Sequence, residues 1–464
     1  MRPLIILCSL LMSLPAFAAE LAETATPLGT LPERVKPADV AVSPDGQRYG
    51  YVRRRDWRVS AVVDGVEHPA FDWIVNQTIA FSPDNRHVVY EARAGRRTQM
   101  VLDGLAQAFY DSIGNWMVSA TGGRIAAAVQ RENTAFAVLD GSEGRHWQQV
   151  RLSALSRDGN VMAYVAGNDG QERVIVGNSQ GKKYEKVYDI CLTPDGRHHA
   201  YRAQGERKWR IVVDGGVDGV EHKSYDHVSG PRLSEDGQHV AYTAVRGGQF
   251  LFVYDEKESS LFDESELKAP ALSPDGQHYA AVARRGPRAH VVVDGQEKNT
   301  GDEVSPLPAF SADSRRLAYG IRKSGGACQL IIDDKPAGSY EAVHAVVFSP
   351  DSKRFAAVIS QGGRMAVAVD GKAGQTYDEV QASSLSFSAD SARMAYAARR
   401  AGKWHVVVDG VESQPHDALI FAAPLAFDAK NTLHLFAANH RQIEQDLGRK
   451  ATEHDLIRLE IAPK

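Results

Sequence analysis

Cysteine is scarce in this 464-residue chain, which has three. Cys8 lies in the N-terminal apolar segment, so Cys191 and Cys328 remain for the folded part. They are far apart, and each lies in a β-rich run. We therefore predict two free thiols buried as small apolar groups, and no disulfide framework. No Cys-x-x-Cys, His-Glu-x-x-His or calcium-loop spacing occurs, so the sequence predicts no metal site and no cofactor.

A strong excess of charge is also lacking, because 54 Lys and Arg residues stand against 58 Asp and Glu residues. The formal net charge of −4 gives no general attraction to nucleic acid, and we expect no such partner. Beyond the N-terminus, no apolar run approaches the ~18 residues needed to cross a bilayer. The sequence therefore predicts no transmembrane segment.

Residues 1–18 are the apolar exception. They combine Arg2, an apolar run over residues 4–14, and the tripeptide Ala16-Phe17-Ala18. A basic start, a short apolar core and an A-x-A site are typical of a cleavable secretory signal. We expect cleavage after Ala18 and a periplasmic or secreted mature protein.

One repeated unit occupies nearly all of the remaining chain and is clearest over residues 273–295. It begins with the turn Ser-Pro-Asp-Gly, continues through two β-rich runs separated by a polar tip, and closes with the hairpin dipeptide Asp-Gly. The turn recurs every 37 to 41 residues, which is the spacing of a repeat architecture. Its eleven occurrences start at Ser43, Ser82, Ser119, Ser156, Thr193, Ser234, Ser273, Ser311, Ser349, Ser388 and Asp428.

The register inside the repeat is constant. A Tyr, Phe or Ala lies eight residues after every turn start, and an aromatic–acidic pair such as Tyr110-Asp111 precedes most turns. Four β segments per period without helical periodicity are typical of a propeller blade. The sequence predicts an all-β fold, a β-propeller of about eleven four-stranded repeats over residues 37–464.

The number of rings and the means of closure follow less directly. Propellers usually have roughly four to eight blades, so eleven repeats slightly favour two tandem rings with an unplaced junction. One ring is the alternative, because the chain after Asp428 has no fourth strand and residues 19–36 align with the end of a repeat. We predict that residues 19–36 supply a closing strand.

The signature around the turn, as in residues 80–90 and 272–281, resembles the WD40-like (PD40-type) repeats of TolB-like periplasmic propellers. It is also similar to the propeller of prolyl-oligopeptidase-type enzymes. The resemblance covers residues 37–464. It implies the propeller fold, but unrelated activities occur on this scaffold, so it does not imply one function.

Several motifs suggest catalysis but have a structural interpretation. Gly177 to Gly181 matches Gly-x-Ser-x-Gly, yet it falls at a hairpin position between two β-rich runs, where a nucleophile elbow needs a following helix. His198 and His199 are adjacent on a predicted strand and so point to opposite faces. Aspartates of the Ser-Pro-Asp-Gly turn recur along the chain, which predicts turn chemistry rather than acid–base catalysis. Examples are Asp45, Asp84, Asp195 and Asp275.

One repeated feature is not required by folding, namely the basic tip after the second β run. Because strands alternate in direction, these tips share one face of the ring and the Ser-Pro-Asp-Gly turns share the other. We hypothesise that the tips bind an anionic partner, such as an acidic protein or an envelope polysaccharide. The alternative is that each arginine pairs with the aromatic–acidic pair of a neighbouring repeat. The predicted binding residues are Arg54, Arg97, Arg246, Arg285, Arg322 and Arg400.

The sequence therefore favours an exported, non-enzymatic propeller that binds a protein or an envelope ligand. An enzyme acting on a polysaccharide or peptide at the central pore is the alternative, with no catalytic residue assigned. Its site is expected among unrepeated side chains of the irregular repeats 3 and 6, namely Trp116, Arg131, His146 and Glu256.

Trp57 and Trp73 lie near tips and are candidates for surface anchors, whereas the equivalent positions of Trp209 and Trp404 predict packing.

Overall fold

The computed structural model describes residues 21–214, 219–265, 270–323, 325–445 and 449–463. These residues form strands and tight turns, with three short 3-10 turns at Pro37–Asp39, Val75–Gln77 and Ala382–Ser384. The predicted export signal, residues 1–18, lies outside the described residues. In the described part of the chain, no helix has the length and apolar character to cross a bilayer.

Eleven antiparallel four-stranded blades stand in a ring, which makes this protein a β-propeller and confirms the predicted fold class. In blades 1 to 10 the strands of a blade are adjacent in chain order, from first to fourth. The first strands of neighbouring blades contact one another. They therefore line the axis of the ring, and the fourth strands form its rim.

The blades are numbered here from the N-terminal end. The first strands, split by a short break in five blades, are Ala41–Val42; Trp73–Ile74 with Ala80–Phe81; Ser112–Val118; Gln149–Leu155; Lys186–Leu192; His227–Val228 with Arg232–Leu233; Glu264–Ser265 with Ala271–Leu272; Glu303–Val304 with Ala309–Phe310; Ala342–Phe348; Glu379–Val380 with Ser386–Phe387; and Ala418–Ile420. The second strands are Tyr49–Arg55, Val88–Ala94, Ile125–Arg131, Met162–Asn168, His199–Gly205, Val240–Arg246, Tyr279–Arg285, Leu317–Arg322, Phe355–Gln361, Met394–Arg400 and Leu433–Gln445.

The outer half of each blade completes the sheet. The third strands are Arg58–Val63, Arg97–Leu102, Thr134–Leu139, Gln171–Val176, Lys208–Val213, Gln249–Tyr254, Arg288–Val293, Cys328–Ile332, Arg364–Val369, Lys403–Val408 and Arg449–Pro463. The fourth strands of blades 1 to 10 are Val66–Glu67, Leu105–Tyr110, Ser142–Glu143, Ser179–Gln180, Val220–Glu221, Lys257–Glu258, Gln296–Gly301, Lys335–Tyr340, Lys372–Tyr377 and Val411–Glu412. Blade 11 takes its fourth strand from Leu21–Thr30.

The Ser-Pro-Asp-Gly turns join the first and second strands and are held by their own side chains. The Ser273 hydroxyl donates to Asp275 Oδ1 at 2.6 Å and accepts from the backbone N–H of His278 at 3.0 Å. Gly276 has a positive φ of 73°, and a Cβ there would lie 2.5 Å from Ser234 Cβ of the preceding blade. The turn aspartates are therefore turn residues, as the sequence predicts.

A hydrophobic cluster joins each blade to the next. Between blades 6 and 7 it contains Phe252, Phe262 and Tyr279. Between blades 11 and 1 it includes Phe436 and Tyr49, whose ring centroids lie 5.2 Å apart. The preference for two tandem rings stays a prediction.

The fourth strand of blade 11 is the N-terminal strand Leu21–Thr30. It pairs antiparallel with Arg449–Pro463, and Leu28 packs against the cluster between blades 11 and 1. Glu23 accepts a hydrogen bond from the backbone N–H of Gln414 at 2.8 Å and lies 3.2 Å from His416 Nε2. The N-terminal strand is thereby fixed to blade 10 as well as to blade 11.

Blade 11 also differs at the tip between its second and third strands. These strands have 13 and 15 residues, and they stay paired from His440 and His454 out to Gln445 and Arg449. The neighbouring first and fourth strands end before that point. We call residues 440–445 and 449–454 the arm. Five residues of the second strand lie beyond His440, which is level with the ends of the other second strands, so at about 3.3 Å per residue the arm extends about 16 Å past them.

Both cysteines of the described residues are free, as predicted. Cys328 is buried as predicted, whereas Cys191 is half-buried and packs against the cluster between blades 5 and 6. Burial raises the pKa of the Cys191 thiol to about 11. A thiol with a raised pKa is a poor nucleophile, so both cysteines act as core residues.

Candidate functional site

The six predicted binding arginines lie on one face of the ring, at the tips between second and third strands. We call this side the tip face. The structure does not bring the six together, because each belongs to a different blade. Their positions are Arg54 on blade 1, Arg97 on blade 2, Arg246 on blade 6, Arg285 on blade 7, Arg322 on blade 8 and Arg400 on blade 10.

Four of the six are already paired with carboxylates. In blades 6, 7 and 10 the partner is a glutamate on the fourth strand of the same blade, not the aromatic–acidic pair that the sequence suggested. A paired guanidinium is less available to an external anion. The four contacts are Arg246 to Glu258 at 2.7 Å, Arg285 to Glu297 at 2.7 Å, Arg322 to Glu303 at 3.3 Å and Arg400 to Glu412 at 2.9 Å.

The acids of the aromatic–acidic pairs hold the tips through the backbone instead. The Asp263 carboxylate accepts from the N–H of Gly286 at 2.9 Å, and the Asp226 carboxylate accepts from the N–H of Gly247. Equivalent contacts recur in other blades. Because each acid precedes the blade whose tip it holds, these contacts fix the tip to the entry of the blade.

Arg54 and Arg97 are the two predicted arginines that have no carboxylate partner among the described residues. The Arg54 guanidinium lies 5.0 Å from the ring centroid of Trp73, a cation–π distance. Arg97 is exposed, as is Arg96 beside it, and neither forms an ion pair within the described part of the chain. Of the six predicted arginines, the two without a carboxylate partner among the described residues therefore lie on the adjacent blades 1 and 2.

Trp57 forms the tip of blade 1 and is 91% exposed. Arg55 and Arg58 flank it, and the nearest carboxylate oxygen of each lies at 3.9 Å, the outer limit of an ion pair. A largely exposed indole is notable on a protein surface, because such rings are costly to leave in water and recur as interface anchors. We call Arg54, Arg55, Trp57, Arg58, Arg96 and Arg97 the blade 1–2 patch.

A second cluster, on blades 4 and 5, was not predicted from the sequence. The guanidinium groups of Arg151 and Arg202 lie 5.1 and 5.3 Å from the ring centroid of Tyr188. Arg151 also binds both carboxylate oxygens of Glu172, at 2.9 and 3.1 Å. Burial acts to raise the pKa of Glu172, but the hydrogen bonds from Arg151 and from a backbone N–H hold it below its usual value.

The charges of this second cluster are matched, since Asp189 pairs with Arg202 and Glu172 with Arg151. It therefore acts as a link between blades. The sequence did contain a sign of this cluster, because Tyr188-Asp189 is an additional aromatic–acidic pair, four residues after the expected pair Tyr184-Glu185.

The catalytic-looking motifs have the structural roles that the sequence favoured. Gly177 has a positive φ of 54° in the hairpin between Gln171–Val176 and Ser179–Gln180, and no helix follows. His198 Nδ1 lies 2.8 Å from Asp214 Oδ2 of the adjoining hairpin turn, an arrangement that recurs in several blades.

The residues of the irregular repeats 3 and 6 do not form one site. Arg131 and His146 both approach Glu143, at 2.6 and 3.8 Å. Trp116 packs between blades 2 and 3, and Glu256 has a positive φ of 64° in a hairpin of blade 6. Across the described ranges, no group of three or more His, Cys, Asp or Glu residues is arranged to hold a metal ion.

No protein-family model matches the chain, and no curated protein matches it. Similar solved structures include a eukaryotic initiation factor, with 12% identity and a TM-score of 0.39, over 72% of this chain and 97% of that one. TolB from Acinetobacter baumannii has 15% identity and a TM-score of 0.26, over 47% of this chain and 63% of its own. The β-propeller domain of the Trilobed protease from Pyrococcus furiosus has 15% identity and a TM-score of 0.29, over 57% of this chain and 97% of its own. Similarity at this level carries no argument about function.

Proposed function

We propose that this protein is an exported, non-enzymatic β-propeller scaffold with WD40-like repeats, and that it binds an acidic protein of the cell envelope through the blade 1–2 patch. One observation carries the proposal. Of the six arginines that the sequence singled out, the two without a carboxylate partner among the described residues lie on adjacent blades, and the hairpin that holds one of them also holds Trp57, which is 91% exposed. Export rests on the signal-like residues 1–18.

The chemistry of the patch favours an acidic protein surface. A free guanidinium can form paired, charge-assisted hydrogen bonds with the carboxylate of a partner. The guanidinium of Arg285 can do so only after its ion pair with Glu297 has broken. Trp57 adds an apolar ring that gains free energy when a partner covers it. Tryptophan and arginine together are the residues that most often dominate the binding energy of protein interfaces.

The test is a crosslinking pull-down from an envelope extract, followed by titration of the identified partner with purified protein at low and high salt. We compare the wild type with Trp57→Ala and with the double variant Arg54→Glu/Arg97→Glu. The matched control is Arg288→Glu, because Arg288 begins the third strand of blade 7 as Arg97 begins that of blade 2, and is likewise exposed.

We expect Trp57→Ala to weaken binding about tenfold or more, the double variant to abolish it, and high salt to weaken the wild type. The Arg288→Glu control should bind as the wild type does. Equal binding by the wild type and the double variant would refute the proposal. If the Arg288→Glu control lost as much affinity as the double variant, the partner would be attracted to basic tips in general. Capture of a polysaccharide instead of a protein would refute the assigned partner.

A further inference from the structure

A cleft of about 840 Å³ opens on the tip face where blades 10, 11 and 1 meet. One side consists of the first strand of blade 11 and the residues after it, including Leu419 and Phe421. Trp404 of blade 10 also lines the cleft, as do Pro37 and Ala38 of the first 3-10 turn. The cleft is therefore apolar over most of its wall, and it is large enough for more than one side chain.

The base of the arm forms the remaining wall. His440 and His454 face each other across the two strands, with ring centroids 4.7 Å apart. Opposed residues of an antiparallel pair share one face, and both rings line the cleft. The next residues outward, Arg441 and Glu453, form a 2.6 Å ion pair on the opposite face.

Two polar side chains at the cleft, His454 and Lys36, have groups without a partner among the described residues. The Nδ1 atom of His454 is buried and has no hydrogen-bond partner among the described residues. Burial lowers the pKa of His454, and the nearby His440 and Lys36 lower it further. Lys36 also lines the cleft and forms no ion pair in the described ranges. Two carboxylates near the cleft already have partners: Asp39 accepts from the backbone N–H of Lys36 at 2.8 Å, and Asp417 accepts from the backbone N–H of His440 and from Lys403.

A free strand edge adjoins the cleft. The backbone N–H of His440 points to the side of the first strand, since it donates to Asp417 at 2.8 Å. Backbone groups alternate in direction along a strand, so those of Gln442 point to the same side. The first strand ends at the pair Ala418 and Ala438, and no described strand lies beside Gln442. An edge of this kind can pair with an added strand.

We propose that this cleft binds the C-terminal residue of an extended peptide chain. The apolar side chain enters between Trp404 and Phe421, and the terminal carboxylate accepts hydrogen bonds from Lys36 and His454. The preceding backbone pairs with the free edge at Gln442, as in binding by β-strand addition. The proposal does not depend on the blade 1–2 patch.

The test is calorimetric titration of the full mature chain with acetyl-pentaalanyl-phenylalanine, a peptide whose single charge is its terminal carboxylate. Its C-terminal amide and N-acetyl-phenylalanine serve as comparisons. We expect the acid peptide to bind, and the amide and N-acetyl-phenylalanine each to bind at least tenfold more weakly. Equal affinity of acid and amide, or no binding of either peptide, would overturn the proposal. Equal affinity of N-acetyl-phenylalanine would overturn the peptide assignment and indicate a small aromatic acid.

Variants locate the binding event. His454→Gln should weaken the acid peptide about tenfold and leave the amide unchanged, and Ala38→Trp should fill the cleft and abolish binding. Arg441→Gln, on the opposite face of the arm, and Trp57→Ala, in the blade 1–2 patch, should bind as the wild type does. Undiminished binding by Ala38→Trp would contradict the assigned site, and circular dichroism would establish that each variant is folded.

Discussion

In ten of the eleven turns on the face opposite the tips, a single Ser or Thr hydroxyl accepts a hydrogen bond from the backbone. The Ser273 side chain is 3% exposed, donates to Asp275 and accepts from the backbone N–H of His278. Removing it leaves a buried N–H and a carboxylate without their partner, which is costly inside a protein. Serine recurs at this position because the turn requires a hydroxyl that donates to the carboxylate and accepts from the backbone N–H.

We expect Ser273→Ala to lower the free energy of unfolding of the region around blade 7 by about 1–2 kcal/mol. The measurement is urea unfolding followed by tryptophan fluorescence, with hydrogen exchange to localise the change. Ser339→Ala is the control, because Ser339 is exposed on a fourth strand. An equal loss of stability in both variants would contradict the role of the turn hydroxyl.

At the scale of strands, glutamates of the outer edge connect neighbouring blades. Glu258 of blade 6 accepts from Lys223 Nζ at 2.6 Å and from the Tyr225 hydroxyl at 2.9 Å, both of which precede blade 6, and from Arg246 of its own blade at 2.7 Å. The hydrogen bond from Lys223 and the others lower the pKa of Glu258 from 4.5 to about 2. The outer edge of the ring is thus linked by ionised groups.

The stabilisation from Glu258 depends on pH in a defined direction. Its pKa is lower in the folded state, so the stabilisation is fully present above about pH 4.5 and is lost as the pH falls towards 2. We expect the urea midpoint to drop in this window, and Glu258→Gln to have a lower midpoint at pH 7 and a smaller drop on acidification. The control is Glu33→Gln, at an exposed position. An unchanged acid profile in Glu258→Gln would contradict the link.

The sequence predicts the blades well because a turn, a tip and a hairpin repeat at fixed spacing, and each has a local physical cause. It treats the six tip arginines as equivalent, although they occupy different strand positions and meet different neighbours. Arg285 ends a second strand and pairs with Glu297, whereas Arg97 begins a third strand, and blade 2 has Ala106 at the register position of Glu297. The repeat spacing alone does not show which of these arginines meets a carboxylate.

The cleft at the arm was not predictable in the same way. Its wall combines Lys36, Trp404 and His454, which do not occupy equivalent positions of the repeat. Lys36 is hundreds of residues away from the other two in the sequence. The site exists because ring closure brings the two ends of the chain together. The long strands of blade 11 were visible as apolar runs, but their projection beyond the ring depends on where their neighbours end.

At the scale of the whole molecule, the ring depends on one strand from the far end of the chain. Residues 21–30 complete blade 11, and Glu23 also contacts blade 10 through Gln414 and His416. Leu21 and Leu28 pack against the core clusters on either side of blade 11. Without this strand, Arg449–Pro463 would become an unpaired edge.

We expect replacement of residues 21–30 by a Gly-Ser sequence of equal length to lower the free energy of unfolding by about 2 kcal/mol or more, from the two half-buried leucines alone. Exposure of the edge should also cause aggregation, detectable by light scattering during thermal unfolding. The point variant Glu23→Ala should give a smaller loss without aggregation. Wild-type stability in the Gly-Ser variant would show that the N-terminal strand does not hold the ring closed.

The same N-terminal strand imposes an order in time on the assembly of the protein. Thr30 and its partner Asp455 are separated by 425 residues, so the strand is synthesised long before its place in blade 11 exists. At roughly 5 to 20 residues per second, the wait is roughly 20 to 90 seconds. During that interval ten blades can stack while both ends of the array remain open. Final closure is therefore a late, slow event of high contact order, and the open array is the species most in need of a chaperone.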